Sequence, residues 1–65
     1  MTTTISVEGM SCEHCEETVE EALRGVDGVT DVTVDRAADR ASVDGDAEAT
    51  ALVRAVEDAG YTAHA

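Results

Sequence analysis

Two cysteines three positions apart, Cys12 and Cys15, stand inside the run Gly9-Met10-Ser11-Cys12-Glu13-His14-Cys15. Side chains at i and i+3 meet on one face of a helical turn, and the N–H groups that open a helix favour negative charge. Both thiols are therefore expected to titrate below the ordinary value of about 8.5 and to supply thiolates near neutral pH. Thiolate is the ligand of soft metal ions. Two such ligands fall short of the four that close a structural zinc site, whereas Cu(I) accepts two or three sulfurs. An open shell also admits a sulfur from a second molecule. The ion can then pass by exchange: an incoming thiolate binds, one original sulfur leaves, and the metal is never free in water.

The competing chemistry is a redox disulfide, with Cys12 as nucleophile and Cys15 as resolving thiol. Thioredoxin-like sites follow a βαβ context in a longer chain with Trp and Pro nearby, and this chain has neither residue. No base or substrate pocket is legible beside the pair. Met10 reads as core filler between a strand and a helix, not as a third sulfur ligand. His14 is expected to point outward, tuning the site or meeting a second molecule, and His64 has no motif around it.

The elements that must position the cysteines follow from hydrophobic spacing. Thr3, Ile5 and Val7 alternate with Thr4, Ser6 and Glu8, the period of a strand with one buried face, which ends at Gly9. From Ser11 the spacing becomes helical: Cys15, Val19, Ala22, Leu23 and Val26 share a face opposite a row of glutamates. This predicts a helix from about Glu13 to Arg24 with Ser11 as its N-cap and Gly25 as its terminator. Val32 and Val34, then Ala41 and Val43, predict a hairpin around the polar stretch Arg36 to Asp39. Asp46 is expected to cap a second helix that turns Ala49, Leu52, Val53, Val56 and Ala59 inward and stops at Gly60. Tyr61 to Ala65 can form a short last strand. The order is that of an α+β, ferredoxin-like βαββαβ sandwich, a four-stranded antiparallel sheet with two helices on one face.

Composition narrows the function. The chain has 65 residues, 15 acidic against four basic, and a formal charge of −11. One domain over residues 1–65 is expected, with a thin core of Ala and Val in which a bound ligand would matter to stability. The charge repels nucleic acid and acidic membrane surfaces. No stretch reaches the roughly 20 apolar residues of a membrane span and no signal peptide is legible, so a cytoplasmic location with reduced thiols is the expectation. Arginine without lysine, beside abundant Asp, Ala, Val and Thr, resembles proteins of salt-loving organisms. At molar salt the Debye length shrinks to about 3 Å and the like charges repel less.

The run GMSCEHC followed by an amphipathic helix resembles the GMxCxxC motif of heavy-metal-associated (HMA) domains, found in copper chaperones and at the N-termini of metal-pumping P-type ATPases. Gly28-Val29, Val32, Val34-Asp35 and Gly60-Tyr61 match the family pattern in order and spacing, so the likeness spans nearly the whole chain. The resemblance implies that Cys12 and Cys15 are the metal ligands, that Met10 supports the loop from beneath, and that Tyr61 lies near the metal and shields it. A lysine holds the Tyr61 position in many eukaryotic chaperones, which makes this chain similar to the prokaryotic branch. Zinc-type members often carry an acidic residue before the first cysteine, where this chain has Ser11, so Cu(I) is favoured over Zn, Cd or Hg. The implied function is a soluble carrier, not an enzyme, that delivers Cu(I) to a copper-transporting P-type ATPase. The alternatives are an excised domain of such an ATPase and an HMA protein for another metal. Met1 and the lack of a membrane segment favour the free carrier, a monomer when apo whose exposed CxxC sites could share copper in a metal-bridged dimer.

Overall fold

The computed structural model describes residues 2–65. Six elements follow in the order β1 (Thr2–Glu8), α1 (Glu13–Arg24), β2 (Val29–Asp35), β3 (Arg40–Gly45), α2 (Ala49–Asp58) and β4 (Thr62–His64). The strands form one antiparallel sheet in the order β2-β3-β1-β4. This is the βαββαβ sandwich, with the paired strands β1 and β3 at its centre. Ile5 faces Ala41 across that pair and Val7 faces Ala63 on β4, which sets the apolar residues of neighbouring strands on one side.

That side meets the helices. Ile5, Val7, Val32, Ala41, Val43 and Ala63 from the sheet pack with Val19 and Leu23 of α1 and Leu52 and Val56 of α2. Each valine, leucine or isoleucine side chain among them contributes on the order of 1.5–3 kcal/mol when fully buried. Thr2, Thr4, Ser6 and Glu8, the alternate residues of β1, are exposed, as the period of two requires. Among the described residues no helix is long and apolar enough to cross a membrane.

The first helix runs from Glu13 to Arg24, as its spacing predicts, but neither helix is capped by the residue the sequence suggested. The N-cap of α1 is Cys12, extended at φ −157° and without a side-chain capping bond, not Ser11. Met10 turns into the core, so the chain needs one more residue after it before the first helical turn. The N-cap of α2 is Glu48, again without a side-chain bond, not Asp46. Asp46 is still fastened to the preceding layer, its N–H donating to the Gly28 carbonyl at 3.0 Å.

The helix ends differ. Gly25 closes α1 in a right-handed conformation, φ −77°, so its lack of a side chain is not what stops the helix. Gly60, at φ +99°, closes α2 in the left-handed way that glycine permits. Its N–H donates to the Glu57 carbonyl at 2.9 Å and the Tyr61 N–H to the Val56 carbonyl at 3.2 Å, the two bonds of a Schellman motif. That joint fixes where Tyr61 emerges.

Candidate metal site

The thiols occupy the junction between β1 and α1. Met10 is 6% exposed and sits in the core beneath them. Cys12 is exposed, and its carbonyl accepts the N–H groups of Cys15 at 3.0 Å and Glu16 at 3.3 Å, which forms the first turn of α1. Cys15 is half-buried against the core. Both cysteines are free, with their sulfurs 3.7 Å apart. A disulfide needs about 2.05 Å. Ser11 Oγ lies 3.8 Å from the Cys15 sulfur.

Tyr61 arrives from the opposite end of the chain. It is half-buried against the core, and its hydroxyl, hydrogen-bonding toward Cys15, is the largest influence holding that thiol down from an ordinary 9.0 to about 6. The backbone of Ser11 is the next influence, and partial desolvation opposes both. The phenol is pushed in the other direction, above its ordinary value, because its proton is held by Cys15. Sequence reasoning traced the lowered thiol to the start of the helix; a phenol 46 positions away from Cys15 does more.

The structure thus brings together Met10, Ser11, Cys12, Cys15 and Tyr61. His14 stands exposed on α1, its carbonyl accepting the Thr18 hydroxyl at 3.0 Å. His64 pairs with Glu8 at 3.3 Å on strands β4 and β1. Among the described residues no set of three His, Cys, Asp or Glu side chains forms a metal cage. One residue of the neighbourhood escaped the sequence reading, in which Glu16 is already part of an acidic rim around the thiols. Arg36, in the β2–β3 turn, donates through Nη1 to the Ser11 carbonyl at 3.3 Å, and its own N–H donates to Glu16 Oε2 at 2.9 Å. The sequence held no signal for this link, since both residues belong to polar stretches that read as solvated.

Two sulfurs at this separation can share one ion. With metal–thiolate bonds of about 2.3 Å, as zinc makes, a 3.7 Å gap is spanned by a bent bridge. The outer side of such a bridge stays open to a further ligand.

Fold and thiols together define a class: small ferredoxin-like domains with a CxxC pair at the first strand-to-helix junction. The chain belongs to the heavy-metal-associated domain family, whose sequence model matches residues 4–62. It is 44% identical over 63 residues to the copper chaperone CopZ of Staphylococcus saprophyticus, covering 92% of this chain and 93% of that protein. Among solved structures, the CopZ metallochaperone matches with a TM-score of 0.93 and 37% identity, over 98% of this chain and all (100%) of that one. A copper-binding domain from a P-type ATPase matches with a TM-score of 0.93 and 33% identity, over 97% of this chain and 89% of that chain.

Proposed function

We propose that this chain is a carrier for Cu(I), which it holds between the thiolates of Cys12 and Cys15 and hands to a copper-transporting P-type ATPase by ligand exchange. One observation carries the reading: the free sulfurs lie 3.7 Å apart, one exposed and one half-buried. The half-buried Cys15, kept as a thiolate near neutral pH, is the sulfur that stays on the ion. The exposed Cys12 is the one an incoming thiolate displaces. Met10 supports the loop from the core, Ser11 and Tyr61 hold the Cys15 thiolate, and His14 faces the docking partner. The similarity to a copper chaperone over nearly both full lengths favours the single carrier domain.

Several finer points belong to the same reading. The carrier works in the cytoplasm, where its thiols stay reduced. It is a monomer when apo and can form a metal-bridged dimer when loaded. Its charge of −11 suits a salt-rich interior. A second reading, a metal-binding domain of a P-type ATPase, is supported by the likeness to such a domain. Flanking coding sequence with membrane spans would favour it.

The test is a competition titration of the reduced protein in molar KCl. Cu(I) is supplied on a coloured chelator, Zn(II) is run in parallel, and a Cys12→Ser variant serves as control. The expected result is tight uptake near one Cu(I) per chain, much stronger than zinc and lost in the variant. Equal zinc binding would overturn the choice of metal, and copper retained by the variant would overturn the two-cysteine site.

A further inference from the structure

The segment that carries the thiols is fastened from outside by a single turn. Before the loop, the Val7 N–H donates to the Asp39 carbonyl at 2.9 Å. Within it, Arg36 Nη1 donates to the Ser11 carbonyl at 3.3 Å. After it, Glu16 accepts the Arg36 N–H at 2.9 Å and stands 3.9 Å from Arg36 Nε. The residues on both sides of Cys12 and Cys15 are therefore tied to the β2–β3 turn, residues 36–39.

We infer that Arg36 is a positioning residue that sets how readily Cys12 lets go of the metal. This inference rests on the reading of Cys12 and Cys15 as the ligand pair. Cys12 is an exposed N-cap without a side-chain capping bond; its carbonyl is held by the first turn of α1 and its sulfur meets only that of Cys15, so on its N-terminal side the restraint is the Ser11–Cys12 peptide. Arg36 holds that peptide by its carbonyl. A guanidinium can do this and face Glu16 at once because its donors form a rigid fork, which the single ammonium of lysine does not reproduce. With Arg36 in place the Cys12 sulfur is kept beside that of Cys15; with the clasp open, Cys12 is free to swing out and make way for an incoming thiolate. The Arg36 and Glu16 side chains are 39% and 28% exposed, so salt screens the pair in part. Release of the ion therefore quickens as salt rises.

The experiment compares the wild type with Arg36→Ala, Arg36→Lys and Glu16→Gln. NMR backbone relaxation is read on the reduced apo proteins, and stopped-flow transfer of Cu(I) to a chelator on the loaded ones. Arg36→Ala should lower backbone order at Ser11 and Cys12 while α2 and β4 keep theirs, and should speed transfer roughly fivefold, the worth of one partly exposed charge-assisted bond. Arg36→Lys should restore the thermal midpoint but neither the loop order nor the rate. Glu16→Gln should fall between, and wild type moved from dilute buffer to molar KCl should approach the alanine variant. Unchanged order at Ser11 and Cys12 in Arg36→Ala, or full rescue by lysine, would overturn the inference. A wild-type chain that takes up no Cu(I) overturns the metal reading and this inference with it, whereas a chain that takes up Cu(I) but shows unchanged loop order or an unchanged transfer rate in Arg36→Ala overturns the inference alone.

Discussion

The molecule makes the passage from strand to helix twice, and fixes it in two different ways. At the β3–α2 junction the backbone itself is packed: a Cβ at Gly45, φ +125°, would collide with the Gly28 carbonyl, and Asp46 is bonded to that same carbonyl. At the β1–α1 junction the loop is held by side chains, with Met10 in the core below and Arg36 across from it. Neither helix has a side-chain N-cap. Backbone packing leaves a junction one shape, whereas side-chain tethers leave it adjustable. The thiols are on the adjustable one.

Glycine substitutions should break this comparison most sharply. Gly45→Ala is expected to cost about 3 kcal/mol or more, through a strained φ and a backbone clash together, which in so small a core means an unfolded chain. Gly9→Ala also meets a positive φ, +96°, but its new methyl would touch only Tyr61 Cδ1 at an ordinary 3.6 Å. Its cost should be about 1–2 kcal/mol. Urea denaturation of the two variants decides it, and equal losses would erase the difference drawn between the junctions.

Caps give a smaller effect with a built-in contrast. Serine is a preferred N-cap, so Cys12→Ser and Glu48→Ser should each stabilise the apo protein by about 0.5–1 kcal/mol. Under added Cu(I) the order should reverse for the first alone. Glu48→Ser keeps the stabilisation that a bound ion gives to the folded state, and Cys12→Ser loses it. Thermal melts with and without copper read both. A Cys12→Ser apo protein less stable than wild type would show that the bare cysteine cap is not a stability cost.

The smallest effect on stability is expected from Tyr61→Phe, whose signature is in pH. Removing the hydroxyl takes away the main support of the Cys15 thiolate, so the midpoint of Cys15 alkylation should rise from about 6 toward the ordinary 9.0. The sign for stability follows. A lowered folded-state value favours the charged form in the native state, so the contribution is fully present above about 9 and is lost as pH falls through about 6. Wild type should therefore gain over Tyr61→Phe as pH rises through that window. A midpoint unmoved by the substitution would transfer the effect to the Ser11 backbone.

How much of this was legible in the sequence depends on the range of the interaction. Alternation around Ile5 and Val7 and the helical spacing of Val19 and Leu23 gave β1 and α1 nearly to the residue, because burial on one face is a local, periodic constraint. The CxxC pair was legible for the same reason, since three residues of helix bring the sulfurs together. Capping residues misled at Ser11 and Asp46 because Met10's descent into the core and the Asp46 bond to Gly28 outweigh a local preference. The Arg36 link, 25 residues from Ser11, has no period to betray it. Tyr61 was placed near the thiols through family resemblance, but its support of the Cys15 thiolate needed the Schellman joint at Gly60 to be seen.

The chain contains one tyrosine and neither tryptophan nor phenylalanine. Its single intrinsic fluorophore therefore sits beside the Cys15 sulfur, and no other aromatic ring contributes to the signal. Deprotonation, oxidation or occupation of the sulfurs must alter the emission of that ring without any label. The residue that holds the thiolate in place also makes the protein its own optical gauge of the state of the site.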